Sequence, residues 1–373
     1  MADRISNLPD SIVSHILSFV PTKEVVATSV LSKRWNILWR SVPSFDFDYN
    51  HTDISSDKVE EAYSHFLHSV YSFLLWRDMD QPLRRFRLRC YFMHPLNIET
   101  WIKVAVSGSA KVRHLDLDMS CVLPSVVFSC KTLVVLKLTN LTVEDICFVD
   151  LPLLKILHLN HLRLLKDLDL SNLLSGCLNL EDMEVKNLVC ESKGTFNRLP
   201  KLVRASIHEH LLPLEIVKDV EVLFIDWIYQ RNLAFDFQNL VQLELMVQLS
   251  KDWHVVLEVL KHCPKLQTLV ICIFKISLNL DFAGHEEVVL PYPEPVPACI
   301  LLHLKTCSLK DYSGSIDEFQ FARYIMENAK YLRTMTICTG NDADNNTHGE
   351  KLDMARELSS CMKSSNTCTL SFE

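Results

Sequence analysis

Leu133-Val134-Val135-Leu136-Lys137-Leu138-Thr139-Asn140-Leu141 is followed, 21 residues on, by Leu154-Lys155-Ile156-Leu157-His158-Leu159-Asn160-His161-Leu162. In both, three apolar side chains stand at the first, fourth and sixth places, and the last two alternate with polar neighbours as residues of a strand do. The same pattern occurs at Leu83/Phe86/Leu88, Val112/Leu115/Leu117, Leu180/Met183/Val185, Leu202/Ala205/Ile207, Val220/Leu223/Ile225, Leu240/Leu243/Leu245 and Leu266/Leu269/Ile271. Successive starts from Val112 to Leu266 are 21, 21, 26, 22, 18, 20 and 26 residues apart.

That spacing brackets the leucine-rich-repeat period of about 20 to 29 residues. The segments between motifs have room for one helical turn and little more, so no unit can bury its apolar edge alone. Stacked, the units share one core, and their strands form a curved parallel sheet, an α/β fold. One feature departs from the pattern. The ninth place, which usually holds Asn or Cys, is Leu141, Leu162 and Leu188, leaving the form of the turn open. The competing architecture is an ordinary α/β domain whose strands begin with Leu-x-x-Leu.

Outside the repeats, Val59, Tyr63, Phe66, Val70, Phe73 and Leu74 follow helical spacing behind the capping candidates Ser56 and Asp57. This helix is expected to close one end of the stack. At the other end Pro291, Pro293, Pro295 and Pro297 mark an extended connector. Beyond it the spacing predicts a strand over 304–309 and a helix opened by the capping box Ser315-Ile316-Asp317-Glu318. A strand with Met335 and Ile337, a polar loop over 341–346, a short helix around Leu352, Ala355 and Leu358, and a final alternating run at Cys368, Leu370 and Phe372 follow. This module is expected to cap the sheet edge.

The net charge of -8, from 38 basic and 46 acidic residues, argues against coating nucleic-acid phosphate or an anionic membrane. The thirteen cysteines lie among apolar residues with no Cys-x-x-Cys pair, as buried reduced thiols do. Met1-Ala2-Asp3-Arg4 lacks the order of a signal peptide, and no apolar run reaches the roughly 18 residues of a membrane helix. Cytoplasm, nucleus or both are the expected compartments.

Residues 5–42 form a segment of another kind. Pro9 and Asp10 suit the start of a helix carrying Ile12, Ile16 and Leu17, which Pro21 stops. Thr22 is placed to cap a second helix with Val26, Val30 and Leu31, leading to Trp35; Leu38 and Trp39 open a third. Five basic and five acidic side chains balance within the first 50 residues. Three helices of this length are near the lower limit for folding alone, so an uncharged apolar face is left for a partner.

Leu8-Pro9-Asp10 with Ile16-Leu17-Ser18, then Thr28-Ser29-Val30-Leu31-Ser32-Lys33-Arg34-Trp35 and Leu38-Trp39, resembles the F-box of plant F-box proteins. Leu304-Lys305, Glu318, Glu327-Asn328-Ala329-Lys330 and Ser365-Asn366-Thr367-Cys368 are similar to the FBD domain that accompanies F-box and leucine-rich repeats in a large plant family. The resemblance implies a non-catalytic adaptor of a Skp/cullin/F-box ubiquitin ligase: the F-box docks the Skp-type linker, and through it a cullin, while the repeats hold a target protein. Carried over by motif, Leu8, Pro9, Ile12, Ile16, Leu17, Val30 and Leu31 are the linker-facing candidates. Trp35, Leu38 and Trp39 belong either to the F-box core or to its seam with the repeats. The expected parts are an F-box over 1–47, a helical connector and cap over 48–82, repeats over 83–290 and the FBD-like module over 291–373. Two rivals stand beside the ligase reading: an interaction scaffold, and a receptor whose repeats take a small molecule.

No nucleophile elbow, phosphate loop or metal-binding His-Glu-x-x-His helix occurs, so neither enzyme activity nor a cofactor is expected. His158 with His161, and His208 with His210, lack the further ligands of a metal site. Arg85, Arg87 and Arg89 alternate with Phe86, Leu88 and Cys90, which sets three guanidinium groups on one face. They serve either as a charged sheet end or as an anion site for an acidic target. Side chains between the core leucines, among them Asp116, Lys137, His158, Glu184 and Glu244, carry both signs on the concave face.

Overall fold

The structure, a computed structural model, describes residues 5, 7–49, 59–78, 80–90, 98–106, 111–146, 148–165, 168–190, 194–226, 233–274, 295–339 and 356–373. They fall in two compact units, Met1–Lys201 and Leu202–Glu373.

The first unit begins with helices α1 (Asp10–Leu17), α2 (Thr22–Ala27) and α3 (Trp35–Leu38), with 3-10 turns at Thr28–Val30 and Trp39–Ser41. Strand β1 (Ser44–Tyr49) follows, then helix α4 (Val59–Trp76), β2 (Arg85–Cys90), α5 (Ile98–Val106), β3 (His114–Met119) and β4 (Val135–Thr139). The short β5 (Thr142–Val143), β6 (Ile156–Asn160), the short β7 (Arg163–Leu164), α6 (Leu170–Leu174) and β8 (Asp182–Lys186) complete it. The main sheet runs β1-β2-β3-β4-β6-β8, all parallel, while β5 pairs β7 beside it.

Register explains why the motif repeats. Phe45, Phe86, Leu115, Leu136, Leu157 and Met183 stand opposite one another strand by strand, as do Phe47, Leu88, Leu117, Leu138, Leu159 and Val185. All twelve are buried. Their period of two keeps the apolar set inside and the polar set outside along every strand. Phe45 lies on Phe86 with the rings 4.4 Å apart and 3° from parallel, and Phe73 of α4 meets Phe45 edge-on at 5.4 Å.

β1 was not among the expected strands. Val42, Phe45 and Phe47 carry the same first-fourth-sixth pattern, inside the stretch read as the tail of the helical segment. Because β1 precedes it, α4 is the return between two paired strands and does not close an end of the stack. Ser56 and Asp57, offered as its caps, lie outside the described residues.

The turn left open also resolves. Asn140, His161 and Asn187, at the eighth place, take the left-handed backbone with φ of 58°, 50° and 51°, a region that Asn tolerates better than most side chains. The Asn140 N–H then donates to the Asn160 carbonyl and that of His161 to the Lys186 carbonyl, both at 3.0 Å. With the chain turned one residue early, Leu141, Leu162 and Leu188 enter the interior instead of closing the strand.

The second unit holds β9 (Arg204–His208), β10 (Val222–Asp226), β11 (Gln242–Val247), α7 (Leu249–Lys261), β12 (Thr268–Ile273), α8 (Ala298–Leu302), β13 (Thr306–Lys310), α9 (Ile316–Asn328), β14 (Thr334–Ile337) and β15 (Thr369–Phe372). Its strands pair in parallel in that order. Leu304/Cys307/Leu309 and Leu332/Met335/Ile337 are buried and repeat the leucine motif, so the C-terminal module extends the sheet by further repeats before ending it. Behind the strands, Trp253 of α7 packs against Phe321 and Tyr324 of α9 at 5.2 and 5.9 Å.

The capping box of α9 forms as expected. Ser315 Oγ accepts the Glu318 N–H, and the buried Glu318 carboxylate accepts the N–H of Ser313 at 2.7 Å and of Gly314 at 2.9 Å. Gly314 has φ 82°, where a side chain would strain the backbone. Leu358 is buried in a helical turn over 356–360. Pro291, Pro293, the loop over 341–346, Leu352 and Ala355 lie outside the described residues.

Candidate functional site

The N-terminal helices are tied together by the residues that carry the motif. Asp10 sits in the first turn of α1, where the helix dipole favours an anion. Arg34 Nε donates to its Oδ1 at 2.8 Å, and Arg34 Nη2 reaches the same oxygen at 2.6 Å and also the Leu8 carbonyl. One guanidinium thus fastens Leu8-Pro9-Asp10 to the start of α3. Val13, Leu17, Val25, Leu38 and Trp39 fill the interior, and Trp35 is half-buried.

Trp39 also meets Phe73 of α4 at 5.9 Å. Arg40 lies over Trp39 and Trp76, 5.7 and 5.5 Å from the ring centres. Thr22 makes no side-chain cap for α2. It is the first helical residue, and its buried Oγ1 accepts the Asp46 N–H at 2.7 Å.

A second set of apolar side chains points outward. Ile12 and Ile16, one turn apart on α1, are 46% and 47% exposed, and Val30 and Leu31 are 85% and 65% exposed. Pro9 is exposed and Leu8 half-buried; Leu17 is turned inward. Ile5, Phe19 and Ile37 are exposed as well, although the sequence reading did not single them out. Phe19 stands three residues beyond Ile16, the one signal that would have placed it on the same side.

The arginine strand is β2, and it is not the first of its sheet. Asp46 and Asp48 of β1 stand opposite Arg87 and Arg89 on one side, Asp116 and Asp118 of β3 on the other. Arg87 lies 3.3 Å from Asp46 and 3.5 Å from Asp116, and Arg89 is 3.8 Å from Asp48. Asp118 accepts a bond from Asn140 Nδ2 at 2.8 Å. Two of the three arginines are therefore engaged by carboxylates. Arg85 is exposed; burial, followed by the charges of Arg85 and Arg113, lowers the pKa of His114.

On the polar strand faces, charges are largely matched by neighbours. Lys310 Nζ binds Glu244 at 2.7 Å, His158 is 3.5 Å from Asp182, and Lys186 is 3.1 Å from Glu184. His161 meets Asn187 at 3.2 Å, and the His208 and His210 rings are 4.0 Å apart. No group of three metal-binding side chains occurs among the described residues. Burial pushes the thiols of Cys177, Cys299 and Cys307 up to about 12, far from the range of a reactive thiolate. Among the described residues no helix is long and apolar enough to cross a membrane.

Two family models match the chain: the F-box domain over residues 5–47 and FBD over residues 292–337. The first includes the opening of β1; the second spans α8, β13, α9 and β14. An F-box/FBD/LRR-repeat protein of Arabidopsis thaliana is 27% identical over 100% of this chain and 99% of its own length. Two FBD-associated F-box proteins of the same plant are each 30% identical, one over 100% of this chain and 97% of its own, the other over 99% and 100%. With full-length relatives at that identity and both domain models in place, the chain belongs to the F-box/FBD/LRR-repeat family.

Proposed function

We propose that this protein is the target-holding adaptor of a Skp/cullin/F-box ubiquitin ligase. One observation carries the reading: Ile12, Ile16, Val30 and Leu31 stay exposed, together with Ile5, Phe19 and Ile37, on an F-box whose interior is already filled by Val13, Leu17, Val25, Leu38 and Trp39. A neutral apolar face of this kind suits docking against helices of a partner. In this reading Leu8, Pro9, Ile12, Ile16, Val30 and Leu31 meet the Skp-type linker, and Leu17 supports them from within. A cullin is reached through the linker, and a target protein lies on the polar strand faces of the repeats. The adaptor transfers nothing itself; it raises the effective concentration of target lysines near the ubiquitin donor.

The test is binding of a purified Skp-type linker to the full chain, with affinity capture under proteasome inhibition. A linker-dependent complex, together with a partner whose lifetime shortens when the protein is present, is the expected result. Linker binding with unchanged partner lifetimes would favour an interaction scaffold. No linker binding would remove the adaptor reading.

A further inference from the structure

In the unit Leu202–Glu373 a cleft of about 630 Å³ is lined by Gln267, Leu302, His303, Lys305, Lys330, Tyr331, Arg333 and the run Ser365 to Thr367. Its cations come from the repeat itself. The carbonyl of Gln267 accepts the N–H of Lys305 and Thr306, that of Lys305 accepts Arg333 and Thr334, and that of Arg333 accepts Thr369. Residues 267, 305 and 333 therefore hold one equivalent place in three adjacent repeats, with strands about 4.8 Å apart. An amide, an ammonium and a guanidinium stand side by side just ahead of β12, β13 and β14.

Lys330 adds a second ammonium from the end of α9, and His303 an imidazole from the end of α8. Among the described residues no carboxylate lines the cleft. The ion pairs of the described residues join other cations, such as Lys310 and Arg323, and none includes Lys305, Lys330 or Arg333. In a chain of net charge -8, this is a local excess of positive charge that no ion pair of the described residues offsets. Lys305 is instead held at 2.8 Å from Gln267 Oε1. The buried Ser365 hydroxyl donates to the Leu332 carbonyl at 2.6 Å and lies 3.1 Å from Thr367 Oγ1, which fixes the run that brings Asn366 and Thr367 to the rim.

We propose that this cleft binds a phosphoryl group, with Lys305, Lys330 and Arg333 taking its charge and Asn366 and Thr367 adding neutral hydrogen bonds. A guanidinium fork with two ammonium groups around one concavity matches clustered phosphoryl oxygens. The charge converges on a pocket and does not run as a stripe, which distinguishes it from a surface for a nucleic-acid backbone. Exposed Tyr331 forms one wall against which the rest of a ligand lies. The phosphoryl group comes either on a phosphorylated peptide segment or on a small phosphate ester. The proposal does not depend on ligase assembly, and its test contains no ligase component.

The experiment is titration of the full chain with pyrophosphate, followed by ³¹P line broadening, at low and high salt. Saturable binding that weakens with salt is expected. Lys330→Gln and Arg333→Gln should each weaken it about tenfold or more, the value of one charge-assisted contact, while Arg323→Gln, whose partner is Glu327, should not. Lys330 is exposed and without a bonded partner among the described residues, so its variant carries the test even if the Arg333 variant folds poorly. Phosphoserine peptides compared with their serine forms, and phenyl phosphate, then separate the two sources, and binding of either supports the site. Absence of saturable pyrophosphate binding, or equal binding by the parent and the Lys330→Gln chain, would overturn it.

Discussion

Thr22 Oγ1 accepts the backbone N–H of Asp46 at 2.7 Å, so the second F-box helix covers part of the free edge of β1, the outermost strand of its sheet. Unpaired edges invite association with other chains, and here the F-box supplies the missing partner. Thr22→Val keeps the shape but strands a buried donor, which should cost about 1–3 kcal/mol. Thr22→Ser should retain most of the stability. Urea unfolding of the three chains compares them directly.

The same relationship makes the F-box and the first repeats one folding unit. Removing residues 1–47 would take away the opening of β1 with Phe45 and Phe47 and uncover Phe86. The shortened chain should lose stability and self-associate, as measured by light scattering. Phe45→Ala isolates the packing component: Phe45 is fully buried on Phe86, and its truncation should cost about 3–5 kcal/mol. A shortened chain that melts like the parent would show that β1 is dispensable.

Strand β1 is hidden in the sequence for a physical reason. Val42, Phe45 and Phe47 repeat the motif, but they overlap a stretch already explained by helices, and the return to Leu83 is twice the usual length. The nine motifs from Leu83 to Ile271 were legible because each pairs a strict apolar order with a regular interval. The turn was not, since the left-handed residue stands at the eighth place and not the ninth. The exposed F-box set was visible by motif, whereas Leu17, on the same helix, faces inward for reasons that only the packing of α1 on its neighbours decides. The basic cleft was illegible: Lys305 and Lys330 entered only as parts of the FBD resemblance and Arg333 not at all, and it is strand register that sets Lys305 beside Arg333.

Arg87 faces Asp46 and Asp116 across both neighbouring strands. Arg87→Gln would leave two half-buried carboxylates flanking a neutral side chain, a destabilisation of about 1–2 kcal/mol that shrinks at high salt as their repulsion is screened. Arg85→Gln should change stability little. If Arg85, the least engaged of the three, serves a target, its loss should weaken capture while leaving the melting curve in place. Capture that is indifferent to Arg85 would leave this strand a purely structural role.

Burial, followed by the nearby His210, lowers the pKa of His208 below its ordinary value of 6.5. The folded chain therefore binds fewer protons here than the unfolded one over that interval, and stability rises with pH. The contribution is complete above the ordinary value and is lost as pH falls from there through the folded-state value. Thermal melting between pH 5 and 7.5 should show this slope, and His208→Gln should reduce it, with His114, also lowered, keeping its own share. An unchanged slope would place the acid sensitivity elsewhere.

The outward and inward positions of α1 make opposite predictions for the same chemical change. Ile16 is half exposed, whereas Leu17 beside it is 4% exposed. Aspartate at Ile16 gains water in the free protein, so the melting temperature should stay near that of the parent. At a linker interface the same charge would be desolvated without a partner, costing about 3–5 kcal/mol, a loss of at least a hundredfold in affinity. Val30→Asp should behave alike, since Val30 is the more exposed of the two. Aspartate at Leu17 places the charge in the F-box interior, so it should unfold that region first, and docking should fail only as a consequence. Melting curves and linker titrations of the three variants therefore separate a binding face from a core. Retained fold with lost binding for Ile16→Asp and Val30→Asp supports the docking assignment; undiminished linker binding by both would move the interface off these helices.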